Sequence, residues 1–490
     1  MNIAALLEKA ARSYGERPAV SVGSLCYLSY RELAARVQKL AGAFTNRLGL
    51  QKGDRVAIAM TNCPEFIESL FAIWHAGLVA VPMNAKLHSR EFEYILDNSG
   101  ARLCIVNNDL EEKINPLFPS LTNLQHIVSA GSHEYRLLYE SEALELCGVE
   151  DRSPAWLFYT SGTTGRPKGA TLTHRNLLLM TLSYFADIEP LCHLDSFIHA
   201  APLSHGSGLY GIPHVAKAAN QVIPESRGFD PEEIAGLISS YEKTGFFFAP
   251  TMIVRLLATE VIEEATLANL RTIIYGGGPM YTEDLIKALD VFGNKLVQIY
   301  GQGESPMTIT YLSKLAHAEK NAGRYLQMLS SVGIARTDVE VRVVDEDGQV
   351  MPVQEPGEII VRGGVVMDGY WANPDATAKA LKGGWLHTGD VGVIDDDGYL
   401  TLKDRTKDVI ISGGTNIYPR EVEEILLKHD EVLETSVVGQ PHSDWGEEVV
   451  AFVSRRPGSR VSEEELDRLC LENIARFKRP KKYRFVDVLP

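Results

Sequence analysis

The chain has 490 residues, 45% of them apolar and 23% charged, which excludes a disordered chain and makes two or more domains the expectation. Lys and Arg number 48 against 64 Asp and Glu, a formal charge of −16. That balance argues against nonspecific nucleic-acid binding but leaves anionic small molecules open, because a few local donors hold a phosphate whatever the global charge.

The opening Met1-Asn2-Ile3-Ala4-Ala5 lacks a basic start followed by an apolar run, so no secretory signal is expected. No stretch has the length of a membrane span; the apolar run near Phe246 to Val254 contains Pro250 and Thr251. Cys26, Cys63, Cys104, Cys147, Cys192 and Cys470 are scattered without a Cys-x-x-Cys pair. They point to mostly buried thiols in a reducing cytoplasm rather than to disulfides or metal.

In chain order, Ser29 to Arg47 has helical spacing with Leu33, Val37, Leu40 and Ala41 on one face. Arg55 to Met60 reads as a buried strand, Pro64 to Ala76 as a helix, and Leu78 to Pro82 as a strand again. The alternation recurs near Ala101 to Val106 and from Asp195 to Val254, which implies an α/β fold of helix-covered parallel sheets. From about Val332 the texture changes to short β runs with turn signals, such as Val339 to Val344 and Glu358 to Arg362. Beyond a charged stretch, Asp404-Arg405-Thr406-Lys407-Asp408, a small α+β unit follows. Its expected helices are Arg420 to Lys428 and Ser462 to Asn473, and its strands Glu434 to Val438 and Val449 to Val453. The expected division is 1–404, with a β-rich part at about 332–404, and 405–490. No internal repeat or low-complexity tract interrupts it.

The most informative segment is Tyr159-Thr160-Ser161-Gly162-Thr163-Thr164-Gly165-Arg166-Pro167-Lys168-Gly169, between expected strands at Ala155 to Tyr159 and Ala170 to Leu172. The hydroxyls of Thr160, Ser161, Thr163 and Thr164 offer donors. Gly162 and Gly165 let backbone N–H groups converge on an anion, and Lys168 adds a charge. This suits the outer phosphates of a nucleotide, although the spacing is not that of a Walker loop.

The segment resembles the signature loop of the adenylate-forming superfamily, which includes acyl-CoA synthetases, firefly-type luciferases and peptide-synthetase adenylation domains. Later motifs follow in the family's order over essentially the whole chain. The resemblance implies that Gly276-Gly277-Gly278-Pro279, on its own a strand-ending turn, flanks adenine and one wall of the acyl pocket. Tyr300-Gly301-Gln302-Gly303-Glu304 is similar to the family's Tyr-Gly-x-Thr-Glu motif, with Tyr300 against adenine and Glu304 holding Mg²⁺. It departs at Gly303, where the family usually has threonine; the lost hydroxyl is expected to be replaced by a water or by the loop around Thr163. Trp385-Leu386-His387-Thr388-Gly389-Asp390 resembles the motif whose aspartate takes the ribose hydroxyls, a carboxylate being the natural acceptor for a vicinal diol. Arg405 would contact the same ribose, and Lys407 matches the hinge about which the small domain turns. Ser412-Gly413-Gly414 resembles the loop that lies along the pantetheine arm of coenzyme A. Arg476, Lys478, Arg479, Lys481 and Lys482 form a basic patch that suits either coenzyme A phosphates or a solvated face.

Gly206-Ser207-Gly208-Leu209-Tyr210-Gly211 also spells a dinucleotide fingerprint, with Glu225 near the position of a ribose-binding acid. Pro202, His205 and Pro213 in and around it speak against a dehydrogenase. The family reading places His205, Gly206 and Gly208 around the acyl group together with Gly276, Gly277 and Gly301, His205 more as a packing wall than as an acid or base. His174, His193, His199 and His214 are expected to be structural, and no His or Cys trio has zinc-like spacing.

The implied reaction converts a carboxylic acid, fatty or aromatic, and ATP into an acyl-adenylate and then a coenzyme A thioester, with Mg²⁺ assisting. Lys168, Thr163, Glu304 and His205 are the catalytic candidates. An amine or carrier-protein acceptor, or a non-catalytic acyl-nucleotide binder, are the alternatives, and both monomer and homodimer stay open. In the family the segment Arg484 to Pro490 leads into a Gly-Lys motif whose lysine serves adenylation. A chain ending at Pro490 is therefore expected to adenylate poorly yet still transfer from supplied acyl-AMP to a thiol.

Overall fold

The computed structural model describes all residues except 161–165, 260, 321–322, 406–407, 413–414, 443–444 and 490, and only the backbone of 264, 265 and 405. Among the described residues the strands form four sheets of nine, six, five and four strands.

The six-stranded sheet runs His126–Ser129, Leu103–Val106, Arg55–Ala59, Val79–Met83, Pro154–Thr160 and Lys168–Thr173, parallel except for the final hairpin. Its strands are buried on both faces, which is why Arg55–Ala59 and Val79–Met83 read as continuous apolar runs. The nine-stranded sheet carries Leu270–Tyr275 parallel to Leu296–Gln302, which turns back antiparallel into Ser305–Leu312. A four-stranded antiparallel sheet follows, Val339–Val344, Gly357–Gly363, Leu386–Ile394 and Leu400–Arg405. The five-stranded sheet near the end packs with helices Pro419–Leu426 and Glu463–Asn473 around a core of its own, including Ile417, Val422, Leu426, Ala451, Val453 and Leu466.

Helix starts follow local chemistry. Ser29 caps the helix Tyr30–Gly42 reciprocally with Glu32, and Leu33, Val37, Leu40 and Ala41 are buried as the spacing predicts; Ala43–Arg47 then loosens into a π turn. Ser462 and Glu465 form the same box at Glu463–Asn473. The strand Ser196–Ile198 stops well short of the glycine run. The run from Gly206 forms a helix, Gly206–Ala216, with Pro213 inside and all three motif glycines buried. A dinucleotide loop would place those glycines at a strand-to-helix turn, which is not what they do here.

No helix among the described residues is long and apolar enough to cross a membrane. All six cysteines are free; Cys63, Cys104 and Cys470 are buried, Cys147 and Cys192 half-buried and Cys26 exposed, so only half match the expected buried thiols.

Candidate active site

The hairpin Pro154–Thr160/Lys168–Thr173 pairs Thr160 with Lys168 across its mouth. Ser161, Gly162, Thr163, Thr164 and Gly165 lie outside the described residues, so the loop is located here by its two ends. At one end, the Thr160 hydroxyl donates to Glu304 Oε1 at 3.3 Å. At the other, Lys168 Nζ stands 5.0 Å from the centroid of the Tyr370 ring, and the Tyr370 hydroxyl donates to the same Glu304 oxygen at 2.6 Å. One end of the loop thus meets Glu304 directly and the other only by way of Tyr370; Glu304 is 8% exposed.

The strand Leu296–Gln302 brings in Tyr300 and Gln302, and Leu386–Ile394 brings in Thr388 and Asp390. Tyr300 Oη donates to Asp390 Oδ2 at 2.6 Å, and Gln302 Nε2 to the same atom at 2.7 Å. Gln302 also reaches the Thr388 carbonyl at 3.0 Å, and the Thr388 hydroxyl accepts from Asp390 N at 3.1 Å. Asp390 is opposite Arg405 in the register, which brings the Arg405 backbone beside it.

Gly277, Gly278, Pro279, Tyr300, Gly301, Gln302 and Asp390 line one wall of a cleft of about 670 Å³. The opposite wall comes from Lys403, Asp404, Arg420, Glu423 and Ser436 to Gly439. Tyr281 joins the walls by donating to Glu423 Oε2 at 3.0 Å, and Arg420 Nη2 approaches the Met280 carbonyl at 3.5 Å. Burial, opposed by the Val437 N–H and the Tyr281 hydroxyl, leaves the Glu423 carboxyl above its usual range.

The glycines separate into two groups. At Gly277, with φ +79°, a Cβ would have only the Phe247 ring nearby at 3.9 Å, and at Gly278 only Pro250 at 3.8 Å; these two leave open surface on the cleft. A Cβ on Gly276 would meet the Ile299 carbonyl, one on Gly208 the Leu203 carbonyl, and one on Gly301 the Met307 backbone at 2.6 Å. Those three are needed for close packing of chain on chain. A Cβ on Gly206 would lie 2.7 Å from Phe247 and 2.8 Å from Met307. Phe247 and Met307 were not visible as site residues from sequence, because neither belongs to a motif.

Gly303 has a physical explanation. A Cβ there would lie 2.5 Å from the Thr160 methyl and 2.6 Å from the Phe158 ring. The space of the usual threonine is filled by the hairpin strand, and the hydroxyl reaching Glu304 is that of Thr160. A water or the loop around Thr163 was the expected source; Thr160, at the strand end next to that loop, makes one such contact, and Thr163 itself lies outside the described residues.

His205 is buried beside Phe158, ring centroids 5.4 Å apart, and shares a hydrogen bond with the Ser204 hydroxyl at 2.8 Å. Burial pushes its pKa down, so the ring is neutral at neutral pH and makes a packing wall. The other histidines are also framework: His199 lies between Ser207 and Gln221, His214 stacks on Phe197, and His193 on Tyr14. Ser412 sits in the strand Ile410–Ser412, paired with Gly446. Lys407, Gly413 and Gly414, assigned to the hinge and to the thiol-facing loop, lie outside the described residues.

Glu304, reached by the Thr160 and Tyr370 hydroxyls, and Asp390, held by Tyr300 and Gln302, are thus brought in from three different sheets and the segment around Tyr370. The chain belongs to the AMP-binding enzyme family, which it matches over residues 7–371, with the AMP-binding enzyme C-terminal domain over 421–490. It is similar to a feruloyl-CoA synthase of Amycolatopsis, 36% identical over 94% of this chain and 91% of that one. Its fold matches ATP-bound MatB from Rhodopseudomonas palustris with a TM-score of 0.90 at 29% identity, over 100% and 96% of the two chains. It also matches the o-succinylbenzoate CoA synthetase of Bacillus subtilis in complex with its acyl-adenylate intermediate, TM-score 0.86 at 31% identity over 99% and 95%.

Proposed function

We propose that this chain is an ATP-dependent acid–coenzyme A ligase that activates an aromatic or fatty carboxylic acid as its adenylate. The observation that supports this reading is Asp390 on the wall of the cleft, held by Gln302, with Glu304 two residues further along the chain in hydrogen-bond contact with Thr160 at the hairpin's end.

In the first step a carboxylate oxygen of the acid bonds to the α-phosphorus of ATP, and the bond from that phosphorus to pyrophosphate breaks. Positioning and charge stabilisation do most of the work in such displacements. Asp390, oriented by Tyr300 and Gln302, accepts the ribose hydroxyls, with Arg405 beside it. Gly277, Gly278 and Pro279 lie against the adenine. Thr160, Ser161, Thr163 and Thr164, with the backbone of Gly162 and Gly165, hold the outer phosphates, and Lys168 neutralises the departing pyrophosphate. In the second step a thiolate bonds to the acyl carbon and the bond to AMP breaks. Ser412, Gly413 and Gly414 are assigned to the thiol's approach and Lys407 to the turn of the small unit between the steps.

Glu304 fits Mg²⁺. The described residues contain no cluster of three or more ligating His, Cys, Asp or Glu, and Mg²⁺ characteristically takes one or two carboxylates with substrate phosphates and water. When bound it would draw charge from the outer phosphates.

Support for an apolar acid comes from the apolar surroundings of Gly206 and Gly277, whose nearest side chains are Phe247 and Met307. A cytoplasmic location is proposed on the free thiols. The test is acid-dependent ATP–pyrophosphate exchange by the full-length protein over a panel of aryl and fatty acids, followed by mass analysis with coenzyme A, amines or a carrier protein offered. A thioester of coenzyme A is expected; an amide would move the assignment to an amide synthetase.

A further inference from the structure

Tyr370 has no part in the sequence motifs, yet it touches both charged groups at the phosphate end. Its hydroxyl donates to Glu304 Oε1 at 2.6 Å, and Lys168 Nζ stands 5.0 Å from its ring centroid. Its backbone is fixed from several directions. Tyr370 bridges Ala170, Thr171 N donates to the Gly369 carbonyl at 2.8 Å, and Trp371 N to the Gly169 carbonyl at 2.8 Å. Tyr370 N donates to the Thr377 hydroxyl at 2.9 Å, and Met367 N to the Glu304 carbonyl at 2.8 Å. The segment 367–371 thereby ties the strand carrying Lys168 to the turn carrying Glu304. Among the described residues Lys168 and Glu304 make no ion pair with each other, although both lie on this one ring.

Resting on the function proposed above, we propose that Tyr370 is a positioning residue that keeps Lys168 and Glu304 apart, so that the lysine stays available to the outer phosphates. A tyrosine suits the task because the face of its ring attracts a cation and its hydroxyl donates to an anion. A direct Lys168–Glu304 pair would neutralise the charge intended for pyrophosphate, since opposite charges in a partly buried site attract strongly.

The test is calorimetric binding of ATP and of AMP to the full-length protein without divalent metal. AMP lacks the outer phosphates and reports the Asp390 end alone. Tyr370→Phe keeps the ring and frees the carboxylate. It is expected to weaken ATP binding about 10-fold, the scale of one charge-assisted hydrogen bond, and to leave AMP binding within about two-fold. Adding Glu304→Gln to Tyr370→Phe removes the competing charge. It is expected to return ATP affinity to within about two-fold of Glu304→Gln alone, a coupling that a merely structural role does not produce. Equal losses for ATP and AMP, unchanged ATP binding, or a loss that persists in the double variant would overturn the assignment. Pyrophosphate exchange by the unaltered protein tests the underlying function separately: if it is present and Tyr370→Phe binds ATP normally, only the role of Tyr370 falls.

Discussion

The two carboxylates of the site are built in different ways. Asp390 lies on a strand and accepts two hydrogen bonds from side chains of a single neighbouring strand, Tyr300 and Gln302. Glu304 lies on a turn and is held by Thr160 and Tyr370, which come from two other parts of the chain. The ribose end therefore rests on two strands of different sheets that meet through side chains, whereas the phosphate end depends on a turn and two further segments staying in contact. In the function proposed above, the strand-borne Asp390 serves both half-reactions and the turn-borne Glu304 only the departure of pyrophosphate.

The largest effect that separates the two ends is expected from Lys168→Ala. Loss of one preorganised charge at the leaving group should lower pyrophosphate exchange by about 10²–10³, while transfer from supplied acyl-AMP to coenzyme A stays within about three-fold. Asp390→Ala should instead lower both half-reactions together, by about 10–100-fold, because the AMP portion is held in both. The same variant removes the carboxylate that Tyr300 and Gln302 share and should cost about 1–3 kcal/mol in a denaturant titration. Separate effects of the two variants support the division; parallel effects break it.

A smaller effect sharpens the contrast at the assembled end. Gly303→Thr restores the residue usual in this motif, but its Cβ would press on Thr160 and Phe158. It should lower exchange about 10-fold and destabilise the fold by about 1–3 kcal/mol, and adding Thr160→Ser, which removes only the methyl, should recover part of both.

The smallest effect at neutral pH concerns the frame on which both ends stand. Burial pushes His174, His199 and His317 down to about 4 and His214 to about 3, from an ordinary 6.5. The unfolded chain therefore binds more protons than the native one between these values and 6.5, so stability is complete above about pH 6.5 and falls as pH drops toward 4. Glu68, pushed up to about 7 by burial, acts oppositely between 4.5 and 7, binding its proton in the native state, and offsets one of the four. Thermal unfolding midpoints should fall from pH 6.5 to pH 4, and a flat profile would contradict the buried neutral rings.

The sequence made the ribose end more legible than the phosphate end for the same physical reason. Asp390, Tyr300 and Gln302 sit in short contiguous motifs that can be read one at a time. The hairpin 154–173 was visible from its unusual density of Ser, Thr and Gly. Tyr370 was not, because its meaning depends on Lys168 and Glu304 arriving from other segments, and a Gly-Tyr-Trp triplet has no periodicity to flag it. Gly303 looked like a defect until Phe158 and Thr160 were seen to occupy its side-chain volume. The carbonyls that crowd Gly208 and Gly276 come from Leu203 and Ile299, whose proximity cannot be read from composition.

The most direct test of a site that grips a nucleotide with its outer phosphates between Thr160 and Lys168 is product analysis of ATP consumed by the full-length protein with an aryl acid and coenzyme A. AMP, pyrophosphate and one acyl thioester in equal amounts are expected, with pyrophosphate exchange absent unless the acid is supplied. ADP and inorganic phosphate as the products, or ATP turnover indifferent to the acid, would contradict it.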